Sequence, residues 1–130
     1  MYEPISTRSA RRTADGARDR FPHRSREEEL DVQLAGHLAA LLAVTDELGD
    51  PAAAERIARQ VARLRGAPPA RRSGPAGTGR PALHRRAHAL AGRALVVAAS
   101  RADTAAAILA AERMDVHAAA LDGNALTATG

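Results

Sequence analysis

The sequence predicts an all-α protein, a four-helix bundle built from two antiparallel helical hairpins. Three observations carry that prediction. The chain of 130 residues is 45% apolar but only 2% aromatic, so its core has to be assembled from Ala, Leu, Val and Ile. Alanine is the strongest helix former, whereas strands favour β-branched and aromatic side chains. Apolar residues recur at spacings of three and four, the period of one helix face. Ser, Asp, Pro and Gly stand where four such stretches begin and end. A chain of this length allows one domain.

Residues 1–26 hold seven Arg against Glu3, Asp15 and Asp19, together with the two aromatic residues, Tyr2 and Phe21. They show no helical period, and residues 1–24 read as a disordered Arg-rich arm. The first helix, 26–48, opens at Ser25, with Glu28 three residues on as a capping box and Glu27, Glu28 and Glu29 at the positive end of the dipole. Leu30, Leu34, Leu38, Leu41, Thr45 and Leu48 form its buried stripe, and Gly49 ends it. Asp50 and Pro51 open the second helix, 51–65, as a capping carboxylate and a residue suited to the first helical position. Its stripe is Ala53, Ile57, Val61 and Leu64, and Gly66 stops it. So short a connection makes 25–66 an antiparallel hairpin.

Residues 66–80 contain Pro68, Pro69, Gly74, Pro75, Gly77 and Gly79, which sustain neither helix nor strand. They read as a flexible linker to a second hairpin, 81–123. Its first helix, 82–101, carries Leu83, Ala87, Leu90, Ala94, Val97 and Ala98 at helical spacing. It includes the chain's most apolar run, 90–99, where Arg93 is the one charge. A helix apolar nearly all round is central in its bundle or covered by a second copy. This helix is therefore expected to be central, and Leu95, Val96 and Val97 are the candidate homodimer contact. Asp103 with Thr104 supplies a cap for the last helix, 104–122, whose Ile108, Leu109, Met114, Val116 and Leu121 lie among many alanines. Alanine faces allow close approach, Gly123 is a natural stop, and 124–130 should fray.

Charge is segregated along the chain. Residues 27–50 hold seven acids and no Arg, residues 51–101 eleven Arg and one acid, and residues 102–130 one Arg and four acids. Arg56, Arg59, Arg63, Arg71, Arg72, Arg80, Arg85 and Arg86 are the candidate surface for an anion or an acidic partner. No aromatic residue is interleaved to stack on bases and no helix-turn-helix spacing is evident. Charge matching between the acidic first helix and the basic segments accounts for the same pattern.

The chain has no Cys, which excludes disulfides, thiolate metal sites and a Cys nucleophile. No run is long enough to span a bilayer, and the polar N-terminus has no apolar signal core, so a cytoplasmic location without membrane attachment is expected. His84 and His88 share a helix face at i, i+4, but Arg85 and Arg86 flank them and repel a divalent cation. His37 and His117 lie at core edges. Neither a carboxylate-bridged metal motif, nor a phosphate loop, nor a Ser triad is organised. The expectation is therefore a protein without catalytic residues, metal or cofactor. A non-enzymatic protein-interaction or regulatory module comes first. A nucleic-acid-associated protein using the arm and linker comes second, and a small-molecule-binding bundle with His37 near its pocket third.

Overall fold

A computed structural model of the chain describes residues 25–72 and 77–129, with side chains to 123. It contains four helices: α1 (Arg26–Leu48), α2 (Pro51–Arg65), α3 (Arg80–Arg101) and α4 (Thr104–Thr129). The all-α bundle expected from composition and period is what forms. The expected disordered arm, residues 1–24, lies outside the described residues.

The helix ends follow the local chemistry. Ser25 Oγ accepts from the Glu28 N–H at 3.1 Å while the Ser25 N–H donates to Glu28 Oε1 at 2.8 Å. Gly49 closes α1 in the left-handed region at φ 79°, where a side chain is disfavoured. Asp50 Oδ1 accepts from the Ala53 N–H at 3.2 Å, with Pro51 as the first residue of α2. Asp103 Oδ1 caps α4 in the same way, accepting from the Ala106 N–H at 3.2 Å.

Ion pairs report the helix directions. Arg101 at the end of α3 meets Asp31 near the start of α1, and Arg80 at the start of α3 donates to the Leu48 carbonyl at the end of α1. Arg63 near the end of α2 meets Asp103 before α4. Thus α1 and α4 run one way and α2 and α3 the other. Pro68, Pro69 and Arg71 border a groove with Glu55, Ala58, Arg59 and Ala62 of α2, and Arg71 docks bidentately on Asp46 at 2.8 and 3.0 Å. Residues 71 and 72 of the expected flexible linker are therefore anchored to α1.

The bundle centre is shared between two helices, and two expected helix ends need correction. The expected central place of α3 is shared with α1: α3 packs against both α1 and α4, and α1 against both α2 and α3, with the large buried side chains of α1, Leu34, Leu38, Leu41 and Leu42, at most 1% exposed. Most of the buried residues of α3 are alanines, Ala87, Ala91, Ala94 and Ala98, and with Ala106 and Ala110 of α4 they let that hairpin close tightly. The start of α3 is Arg80, with Gly79 as its N-cap. Finally, α4 does not stop at Gly123 but runs to Thr129. A glycine inside a helix costs only about 1 kcal/mol, and no proline follows to enforce a stop. Residues 124–129, where fraying is expected, continue α4.

The break between α3 and α4 falls at Ala102, whose φ of 59° makes it the non-glycine residue with positive φ among the described residues. A Cβ in that region costs about 1 kcal/mol or more. Ala102→Gly is expected to raise the unfolding free energy by about 0.5–1 kcal/mol in urea titrations. A loss of stability would show that the turn is not held in this conformation.

Candidate functional site

The α1–α2 turn, the first turns of α3 and the middle of α4 enclose a cleft of about 310 Å3. Thr45, Leu48 and Asp50 line it from the turn, Arg80 and His84 from α3, and Arg113, Val116 and His117 from α4. Arg80 and His84 stand at i, i+4, as do Arg113 and His117, so each pair occupies one helix face. Antiparallel packing of α3 on α4 turns the two faces toward one another.

The His84 and His117 Nδ1 atoms are 2.9 Å apart, with ring centroids 5.1 Å apart and planes tilted by 47°. One ring must donate its N–H to the lone pair of the other. Burial depresses both pKa values, aided for His84 by Arg80 and Arg113. For His117 burial is again the largest cause, with Arg113 and His84 next, and its pKa falls to about 4. Both imidazoles are therefore neutral at physiological pH.

Arg113 is 4% exposed and His117 1% exposed. Arg113 Nη2 reaches Asp50 Oδ2 at a long 3.5 Å. Its Nε and the Nε2 of His117 are buried with no partner among the described residues. Buried polar atoms are normally satisfied, and each that is not costs about 1–3 kcal/mol. Thr45 donates its hydroxyl to the Leu41 carbonyl at 2.7 Å, so it is already engaged. Other surface grooves are lined by groups that neutralise each other, such as Arg63 with Asp103 and Arg101 with Asp31, or Arg56 with Glu112.

The eight arginines of the expected anion surface do not gather into one. Arg56 pairs with Glu112, Arg59 with Glu55, Arg63 with Asp103, Arg71 with Asp46 and Arg72 with Glu47. Arg80 enters the cleft, and Arg85 and Arg86 are exposed on α3. Much of the segregated charge is thus matched inside the molecule. Leu95, Val96 and Val97 likewise face three ways: Val97 is buried, Leu95 packs against the core, and Val96 is 67% exposed. Consecutive helical residues are 100° apart and cannot share a face.

His84 faces His117 across the hairpin, while His88 lies a turn further along α3 and His37 is not among the cleft residues. Among the described residues no group of three His, Asp or Glu is placed to hold a metal, and no helix is long and apolar enough to cross a membrane. Arg113 and Asp50 escaped the sequence reading as site residues. The available signal was the paired i, i+4 spacing of Arg80 with His84 and of Arg113 with His117. No family model, curated protein or solved structure matches the chain.

The depressed histidine pKa values carry a definite sign. The unfolded chain takes up a proton near pH 6.5, which buried His117 resists until about pH 4. Its neutral state therefore supports the fold fully above the ordinary imidazole range, and that support drains away as the pH falls, by about 3 kcal/mol in all. His84 acts in the same direction. The Asp46 carboxylate, held low by its hydrogen bonds to Arg71, loses its contribution only below the ordinary carboxylate range. Urea titrations between about pH 7 and about pH 4.5 should show this histidine-linked loss, and His117→Met should remove most of it. An equal loss in that variant would place the pH dependence elsewhere.

Proposed function

We propose that this protein is a non-enzymatic regulatory module that binds a small molecule in the cleft between the α1–α2 turn, α3 and α4. One observation carries the reading: Arg113 and His117, both almost wholly buried, line a cleft and hold polar atoms that no group among the described residues satisfies. Polar groups serving the fold alone are normally paired. Pockets built for ligands combine an apolar wall with a few convergent polar groups, as Leu48, Pro51 and Val116 do here with the Arg and His side chains. The cleft hydroxyl of Thr45 is engaged by the backbone, and the imidazoles face each other rather than a nucleophile, which supports binding over catalysis. A cytoplasmic setting is part of this proposal.

The protein-interaction reading retains a narrower footprint, the exposed Arg85 and Arg86 beside the cleft. Pairing of five candidate arginines with carboxylates weakens the case for a phosphate-tracking nucleic-acid surface.

The test is an NMR screen of the full chain against a chemically mixed fragment set of acids, bases and neutral compounds. Fragment binding should perturb the imidazole signals of His84 and His117 together and leave His37 unmoved. Hits confined to the Arg63–Asp103 end of the bundle, or none at all, would contradict the reading.

A further inference from the structure

We infer that the ligand of this cleft is a small monocarboxylate, its carboxylate held by Arg113 and Arg80 and its apolar tail laid along Leu48, Pro51 and Val116. The inference rests on the small-molecule reading above and adds the chemical class.

Charge is the first argument. Arg80 and Arg113 bring two positive charges to the cleft and Asp50 one negative, while His84 and His117 are kept neutral by burial. The remainder is a single positive charge. One carboxylate balances it, a phosphate dianion overshoots, and a divalent cation or an ammonium group is repelled.

Donor capacity is the second argument. A guanidinium presents five N–H donors in a planar fork suited to a carboxylate. Arg113, with its side chain 5% exposed, spends that fork on one 3.5 Å contact to Asp50. Asp50 is a loose counter-ion: its side chain is 47% exposed and its other oxygen already caps α2. A buried cation with so few partners is costly, and a ligand carboxylate supplies what Asp50 does not. Arg80, exposed and held among the described residues by a 3.3 Å bond to the Leu48 carbonyl, sits at the rim within the same lining. The cleft, at about 310 Å3, lies at the small end of the range for ligand pockets, which favours a short acid over a nucleotide.

The test titrates the full chain with hexanoate, hexanol, hexylammonium and inorganic phosphate, reading heat and the imidazole signals of His84 and His117. Hexanoate should bind saturably, and hexylammonium should not. Asp50→Asn keeps the helix cap, since Asn caps as well as Asp. With the competing charge gone, it should tighten hexanoate about three- to tenfold. Arg80→Gln, at an exposed position, should weaken binding about threefold or more, and Arg113→Gln about tenfold or more. Because the Arg113 variant removes a buried side chain, the Asp50 and Arg80 variants carry the decision if it fails to fold. Hexanol binding as well as hexanoate would overturn the carboxylate assignment and leave the small-molecule reading intact. Tighter phosphate than hexanoate, or no gain from Asp50→Asn, would also overturn the assignment. If no probe moved the cleft signals, both readings would fall.

Discussion

The arrangement of this bundle turns on two large polar side chains, Arg113 and His117, buried in a chain whose remaining interior is almost entirely aliphatic. Elsewhere the molecule follows the simplest rule available to an aromatic-poor sequence. Leucines of α1 and alanines of α3 and α4 bury themselves, and acids and arginines stay outside in pairs. At one end that rule is broken. The break coincides with the α1–α2 turn, where the carboxylate of Asp50 both starts a helix and offers Arg113 its one distant partner. A guanidinium cannot shed its proton to escape burial, whereas the imidazoles can and do. The cleft therefore holds a fixed positive charge beside two neutral rings, an asymmetry that chemistry imposes on any ligand.

The segregated charge of the sequence finds its use in topology. With α2 and α3 parallel and diagonal to one another, the chain must travel the full length of the bundle between them. Arg71 and Arg72 fasten that crossing to Asp46 and Glu47 on α1, and Arg101 fastens the far end of α3 to Asp31. Exposed ion pairs contribute little stability each, about 0–1 kcal/mol. Their value here lies in register, selecting which helix lies beside which when all four offer similar aliphatic stripes. An external acidic or basic partner is not needed to account for the polarity of the sequence.

Most of the fold was legible because its signals are local. Ser25 with Glu28, Gly49, Asp50 with Pro51, and Asp103 each act within four residues, so the boundaries they set could be read without any tertiary knowledge. Gly123 misled for the same reason: glycine permits a stop, but only a competing conformation enforces one, and none is adopted there. The centre of the bundle was legible only in part. The apolar 90–99 run marked α3, which packs against both α1 and α4, but α1 also has two neighbours and carries larger buried side chains. The site was half legible. His84 and His117 could each be singled out, but their contact depends on antiparallel α3–α4 register. Arg113 stood among scattered charges until the packing placed it against the turn.

The cleft depends most on a neutral histidine pair in the α3–α4 interface that shares one proton between facing Nδ1 atoms. Nitrogen-15 NMR of the imidazole side chains near neutral pH tests it directly, because the two tautomers and the protonated ring have distinct patterns. The expected spectrum shows His84 and His117 both neutral, one carrying its proton on Nδ1 and the other on Nε2. Two Nε2-protonated rings, or an imidazolium at either position, would mean that the cleft is wetter and more open than described, and the reading built on it would not stand.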